Sequence, residues 1–175
     1  GNKNYIEDNY NPELGYGVSV GDGSSAYISH NDFDHNRHDI ASDGSLGASY
    51  TAADNETDNS TSHAFDVHGR ASGAHDHTAG DWFIIQDNTF NETTQEAIVI
   101  RGVPATRVAI LDNTFAHGSI VLGSTHAFDQ RTQAGVTLDN DAYGKIEIGD
   151  NTFTGTAPGG TTFQVKYGGN WNHLV

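Results

Sequence analysis

Three seven-residue segments are nearly identical, and this repeat constrains the fold more than any other feature of the chain. They are Ile84–Phe90, Ala109–Phe115 and Glu147–Phe153, and each ends in Asp-Asn-Thr-Phe. With three less similar copies, the central Asn recurs at Asn9, Asn31, Asn55, Asn88, Asn113 and Asn151. The steps between them are 22, 24, 33, 25 and 38 residues. A period in the twenties with occasional longer steps is typical of a solenoid with loop insertions.

The residues between the repeats indicate strands rather than helices. Short β-branched and aromatic runs are separated by Gly, Asn and Asp, and no amphipathic period of 3.6 residues extends over ten positions. A second short strand follows most repeats, as in Ala64–Val67 and Ala97–Ile100, where alternate residues are apolar. The sequence therefore predicts an all-β solenoid of about six coils, forming a single domain over residues 1–175.

The repeated Asn and the residue two positions after it have expected structural roles. At a tight bend Asn can adopt left-handed backbone angles, and its amide can bond main-chain groups of adjacent coils. The aromatic residue at Asn+2, such as Phe90 or Phe115, should fill the core. Asn-x-Phe steps of this kind resemble the right-handed parallel β-helix superfamily with the pectin-lyase-like fold. The resemblance implies a right-handed parallel β-helix over nearly the whole chain.

Two polar segments and the two chain ends depart from the repeat. Residues 69–80 and 123–134 are expected to be loop insertions that protrude from one face, where solenoids often bind their partners. Neither end shows an obvious capping helix, and an uncapped β-helix would expose its core and a strand edge. We therefore expect the chain to be part of a longer protein, or its ends to meet neighbouring domains or identical chains.

The charge balance bounds the partners and the location. The chain has 23 acidic and 8 basic residues, a net charge of −15, and the acids are scattered. Such a surface repels itself unless salt screens it, which indicates a high-salt environment. No basic stripe is present to neutralise phosphates, which excludes nucleic acid as a partner. No apolar run is long enough to span a membrane. We expect a secreted protein or one on a cell or virion surface.

The most suggestive segment for chemistry is residues 63–69. If its apolar residues point inward, Asp66 and His68 project together from the outer face of one strand. Aligning neighbouring coils by their apolar residues places Arg101 on one side of His68, at the coil spacing of about 4.8 Å, and Asp43 on the other side. The predicted outer ladder is therefore Asp43, His68 and Arg101, with Asp66 adjacent.

This segment resembles the Tyr-Gly-Phe-Asp-Pro-His stretch of alginate-type epimerases and related polysaccharide lyases. The resemblance implies proton transfer at C5 of a uronate sugar. In it His68 is the proton-transfer group, Asp66 is its partner or a second acid/base, and Arg101 clamps the sugar carboxylate. His63 stands where that family has a catalytic Tyr, and Val67 stands where it has Pro.

Two functions follow from these residues. The first is an extracellular module that binds or processes an acidic polysaccharide, as a lyase or epimerase does. The second is a non-enzymatic structural, adhesive, tail-spike or fibre domain, in which the same residues form a cross-coil salt-bridge ladder. Clustering of arginines around His68 would favour the first function, and their dispersal the second. The candidate substrate-binding residues are Asp43, Arg70, Trp82, Arg107 and Arg131.

Metal ions are a further expectation. His75 and His77 are separated by one residue and offer imidazole ligands. Asp32 and Asp34 offer the oxygen ligands that Ca²⁺ prefers, which makes Ca²⁺ the expected cofactor if one is bound. The alternative for both pairs is ordinary hydrated surface.

Overall fold

The computed structural model describes residues 3–69, 79–91, 96–101, 104–116, 120–122, 146–154, 165–167 and 170–172. These residues form three sheets, with strands numbered β1–β18 in chain order. Sheet A contains β1 (Asn4–Glu7), β4 (Asn31–Asp34), β7 (Glu56–Asp58), β10 (Thr89–Phe90), β13 (Thr114–Phe115) and β16 (Thr152–Phe153). Sheet B contains β2 (Tyr16–Val20), β5 (His38–Ser42), β8 (Phe65–Val67), β11 (Ile98–Ile100), β14 (Ile120–Leu122), β17 (Val165–Tyr167) and β18 (Asn170–Asn172). Sheet C contains β3 (Ser25–Ser29), β6 (Ser49–Ala53), β9 (Trp82–Gln86), β12 (Arg107–Leu111) and β15 (Ile146–Gly149).

The chain visits the three sheets in a fixed order, A then B then C, and returns to A one layer further on. Within each sheet the neighbouring strands are parallel, and only β18 pairs antiparallel, with β17. Six strands in sheet A give about six coils, as the repeat predicts. The described residues therefore form a parallel β-helix, and the expected all-β class is confirmed.

The repeated Asn forms a ladder at the sharp corner between sheets C and A. The backbone N and the Nδ2 of Asn31 both donate to Oδ1 of Asn55, at 3.1 and 2.9 Å. The same pair of bonds links Asn55 to Asn88, Asn88 to Asn113, and Asn113 to Asn151. Because these amides are buried or half-buried and fully bonded, the ladder fixes how successive coils stack.

The left-handed residue of each corner is not the Asn, as we expected, but the residue before it. His30, Asp54, Asp87, Asp112 and Asp150 have φ between 54° and 58°. Asp, like Asn, tolerates this region better than most residues. The left-handed residue turns the chain, which leaves the following Asn free to point inward and bond the next coil.

The first coil is aligned differently from the sequence prediction. Asn4, not Asn9, pairs with Asn31, and its Nδ2 donates to Asn31 Oδ1 at 3.1 Å. Asn9 instead donates to Asn36 Oδ1, at a second corner between sheets A and B. The core decides this alignment, because Ile6 at Asn4+2 occupies the apolar position that Phe33 occupies in the next coil.

The core consists of stacked apolar columns that run along the solenoid axis. The rings of Phe90 and Phe115 are 4.8 Å apart, and so are those of Phe115 and Phe153. Tyr50 and Phe83 extend the aromatic core behind sheet C, with ring centroids 4.9 Å apart. The expectation that the residue at Asn+2 fills the core is confirmed for the described phenylalanines.

Most of each expected loop insertion lies outside the described residues, namely 70–78 and 123–134. No helix in the described part of the chain is long and apolar enough to cross a membrane.

Candidate functional site

The register of sheet B brings the expected polar residues together. Phe65 pairs with Ile40 in one neighbouring strand and with Ile98 in the other. The ladder continues beyond the strand ends, because His68 N donates to Ser42 O and Arg101 N donates to Val67 O, each at 2.9 Å. Continuing this register gives equal positions to Asp43, His68 and Arg101 on successive coils, as the apolar pattern predicts.

Asp66 is the centre of the site. It alternates with two core residues along β8, yet its side chain is 0 % exposed. Arg101 holds both carboxylate oxygens: Nε donates to Oδ1 at 2.8 Å and Nη2 to Oδ2 at 2.5 Å. Burial alone would raise the pKa of Asp66, but the Arg101 charge, helped by His68 and His38, holds that pKa below its usual value. Asp66 is therefore a buried, ionised carboxylate.

His38 joins this centre from the preceding coil. It is fully buried, its Nδ1 lies 2.7 Å from the backbone oxygen of His63, and its Nε2 lies 3.1 Å from Asp66 Oδ2. A carbonyl oxygen only accepts, so Nδ1 carries a proton. Burial, which penalises the charged form, lowers the pKa of His38 to about 4. His38 is therefore neutral near pH 7, with its second nitrogen facing the carboxylate.

His68 approaches Asp66 from the accessible side. Its Nε2 lies 3.3 Å from Asp66 Oδ2, and 18 % of its side chain is exposed. Its ring meets the His38 ring edge-on at 6.2 Å. We call His38, Asp66, His68 and Arg101 the Asp66 cluster.

A second pair of polar residues borders the cluster. The ring of His63 stacks on that of His38 at 5.8 Å, and its Nδ1 lies 3.3 Å from Glu96 Oε2. On the other side of His38 the Tyr16 ring stacks at 5.6 Å, and the Arg37 guanidinium lies 5.9 Å from the centre of that ring. Tyr16 and His63 thus stack on the two faces of the His38 ring, at the border of the Asp66 cluster.

Several expected site residues bond other groups or lie in another sheet. The Asp43 carboxylate accepts bonds from Ser45 and from the backbone N of Asp22, so it stabilises a turn. Trp82 and Arg107 are paired neighbours in sheet C, and Arg107 forms an exposed ion pair with Glu147. Both residues lie in sheet C and the residues around His68 lie in sheet B, so Arg107 is not clustered with His68. Arg70, His75, His77 and Arg131 lie outside the described residues.

The expected Ca²⁺ ligands lie on the outer face of sheet A. Asp32 and Asp34, with neighbouring acidic residues of β1 and β7 and with Tyr5, line an open cleft of about 310 Å³. Lys3 crosses this face, and its Nζ lies 3.1 Å from Asp32 Oδ1 and 2.8 Å from Glu56 Oε2. Calcium binding there stays a prediction, and both candidate ligands already have a basic partner, since His35 Nδ1 lies 2.7 Å from Asp34 Oδ1.

The sequence reading missed His38, Glu96, Tyr16 and Arg37. The sequence does contain a signal for His38 and Glu96, because the alignment that pairs Asp43 with His68 can be extended towards the N-terminal end of each strand. Two positions before Phe65 lies His63, and the equivalent positions in the adjacent coils are His38 and Glu96. The neighbours of His63 were therefore readable from the same alignment.

Comparison with known proteins agrees with this architecture. The family model described as the right-handed β-helix region matches residues 2–173. A single match of this length covers nearly every coil, so the chain belongs to the right-handed β-helix family. No curated protein matches the chain, and no solved structure matches it. The family establishes the fold and its hand, whereas the function has to be argued from the site.

Proposed function

We propose that this β-helix binds and processes an acidic polysaccharide on the outer face of sheet B, outside the cell and at high salt. The observation that carries the proposal is the Asp66 cluster itself. A carboxylate and a guanidinium are withdrawn from water in the middle of the solenoid, beside the partly exposed imidazole of His68. Buried charges of this kind are costly, and they concentrate at functional sites.

His63 is the proton-transfer group in this proposal. Its imidazole is 9 % exposed and its Nδ1 lies 3.3 Å from Glu96 Oε2, so Glu96 orients it as a carboxylate orients a catalytic His. Removal of the proton at C5 of a uronate leaves a carbanion beside the sugar carboxylate. In elimination the C4 oxygen leaves and takes up the proton held by His63, which gives an unsaturated sugar. In epimerisation water delivers a proton to the opposite face of the carbanion, which gives the C5 epimer.

Arg101 has a different role from the one that the sequence suggested. Two of its donors already bind Asp66, so it positions that carboxylate rather than clamping the sugar. Arg37 is the better candidate for binding the uronate, since its Nη1 is buried and has no hydrogen-bond partner among the described residues. A guanidinium in that state gains most from a carboxylate ligand.

Salt fits this proposal, because a protein of net charge −15 repels a polyuronate. At about 1 M salt the screening length falls to roughly 3 Å, so only charged groups in direct contact still interact strongly. Short-range contacts in the groove can then outweigh the overall repulsion.

A second candidate is a non-enzymatic surface or fibre domain. It is favoured by the position of Arg107 in sheet C, which disperses the arginines of the described residues over different faces. In that case the Asp66 cluster holds three coils together and takes no part in chemistry.

The experiment is turnover in high salt on a panel of acidic polysaccharides. Absorbance of unsaturated uronate reports elimination, and exchange of the C5 hydrogen with deuterated water reports epimerisation. We expect turnover that His63→Ala abolishes, while the matched control Arg107→Ala, on another sheet, keeps it. If no polysaccharide is turned over and none binds, the surface-domain function replaces the proposal.

A further inference from the structure

The donor atoms of His38, Asp66 and His68 converge on one point. His38 Nε2, Asp66 Oδ2 and His68 Nε2 all lie within 4.8 Å of one another. The two nitrogens lie 3.1 and 3.3 Å from the oxygen. In a tetrahedral zinc site, bonds of about 2.0–2.2 Å put neighbouring ligand atoms roughly 3.3 Å apart. The two nitrogen–oxygen distances are therefore already those of neighbouring ligands in a metal site.

The orientation of the His38 ring supplies an independent argument. Its Nδ1 donates to the backbone oxygen of His63, so in the neutral ring Nε2 carries a lone pair. That nitrogen is fully buried and has no hydrogen-bond partner among the described residues, although it lies close to Asp66 Oδ2. Two electron-rich atoms that face a common point in a dry environment repel each other unless a cation lies between them. An Nδ1–H bond to a carbonyl is also the usual way in which a metal-binding His is oriented.

We propose that His38, Asp66 and His68 bind one divalent transition-metal ion, with Zn²⁺ as the representative species. Two imidazoles and one carboxylate suit Zn²⁺, Fe²⁺ or Ni²⁺, whereas Ca²⁺ prefers all-oxygen sites. The ligands come from two adjacent coils, so the parallel stacking of β5 and β8 sets their separation. The site goes beyond the proposed function and holds equally for a binding module.

Arg101 is compatible with this ion and shapes its chemistry. The guanidinium uses one lone pair on each oxygen of Asp66, which leaves a second lone pair on Oδ2. Asp66 and Arg101 together are neutral, so a divalent ion with two neutral imidazoles leaves the site at +2. Such a site favours an anion, a hydroxide or a carboxylate, at its open position. His63 is not a ligand in this arrangement.

Metal binding is tested without any polysaccharide, so its result does not depend on the proposed function. The full chain is stripped with chelator, dialysed and titrated with Co²⁺, whose visible absorption reports coordination by nitrogen and oxygen and the geometry. Zn²⁺ should then displace Co²⁺ in a 1:1 ratio and raise the thermal midpoint of unfolding. We expect both signals to disappear in His68→Gln and in His38→Gln.

Two control variants locate the signal. His30→Gln removes an exposed histidine beside Asp54 and should leave the titration unchanged. The double variant His75→Ala/His77→Ala removes the histidines that the sequence suggested as ligands, and it should also keep the 1:1 signal. Because His68 is partly exposed, His68→Gln should fold even if His38→Gln does not. Absence of Co²⁺ absorption in the parent chain, or a signal that survives His68→Gln, overturns the proposal.

Discussion

The outer faces of sheets A and B carry the same kind of polar ladder in opposite surroundings. On sheet A, Lys3 bridges Asp32 and Glu56 across successive coils, and these side chains are between 25 % and 48 % exposed. On sheet B, Arg101 bridges to Asp66 of the adjacent coil, where the carboxylate has lost all contact with water. Both ladders follow from parallel stacking, which repeats side chains at the coil spacing.

The difference shows that burial, and not the ladder itself, determines how much these residues affect the free energy of unfolding. An exposed ion pair contributes little, because water and salt screen it and two long side chains must be ordered. A buried pair is costly to form, but removal of one partner leaves a stranded charge. The sheet A ladder therefore reduces charge repulsion on an acidic surface. The sheet B cluster instead fixes the positions of three coils relative to one another.

The largest effect is expected from Asp66→Asn. The change strands the mostly buried Arg101 guanidinium, and it should lower the free energy of unfolding by about 3–5 kcal/mol. Urea unfolding in metal-free buffer at neutral pH measures it. The double variant Asp66→Asn/Arg101→Met removes both charges and should recover part of the loss. A loss below about 1 kcal/mol for the single variant would show that the Asp66–Arg101 pair contributes no more than an exposed ion pair.

A smaller loss is expected from Gly69→Ala. A Cβ at Gly69 would lie 2.1 Å from the Arg101 backbone oxygen, so the next coil has to move, and with it the guanidinium. Overpacking of this kind costs about 1–3 kcal/mol. Gly149→Ala is the matched control, because its Cβ would lie 3.6 Å from the nearest Leu111 atom. Equal urea midpoints for the two variants would show that the approach of Gly69 to Arg101 does not constrain the cluster.

The smallest effect is expected from Lys3→Ala on sheet A. The hydrogen bond from Lys3 lowers the pKa of Glu56 below 4.5, so this ion pair stabilises the fold above that pH. Its contribution is lost as the pH falls through the lowered pKa of Glu56. We expect a small decrease in the urea midpoint at pH 7 and low salt, which disappears in 1 M NaCl and shrinks as the pH is lowered below 4.5. A decrease that persists in 1 M NaCl would contradict a screened, exposed ladder.

The fold and the centre of the site were readable from the sequence for one physical reason. Apolar alternation sets the register of stacked coils, and register determines which polar residues become neighbours. That argument places Arg101 beside His68 from the sequence alone. In the first coil the predicted alignment is wrong. It follows the similarity of Tyr5–Asn9 to the later repeats, whereas the structure aligns Ile6 with the core residue Phe33.

The rest of the site departs from simple alternation. At the start of β5, the backbone N atoms of Asp39 and Ile40 both donate to Ala64 O, which interrupts the regular ladder. Asp39 bonds the side chains of Asn36 and Ser60, whereas His38 turns towards Asp66. A period of two residues cannot describe this corner. Nor does it predict that Asp66, on the face opposite the core, is completely buried.

The Asn ladder also bears on how such a chain can change in length over evolution. Successive rungs from Asn31 to Asn151 have the same bonds although 24 to 38 residues separate them. A duplicated stretch of gene encoding one coil would bring its own rung and its own core phenylalanine, and it would need to match only its two neighbours. A lineage can therefore lengthen the solenoid by whole coils and leave the Asp66 cluster intact.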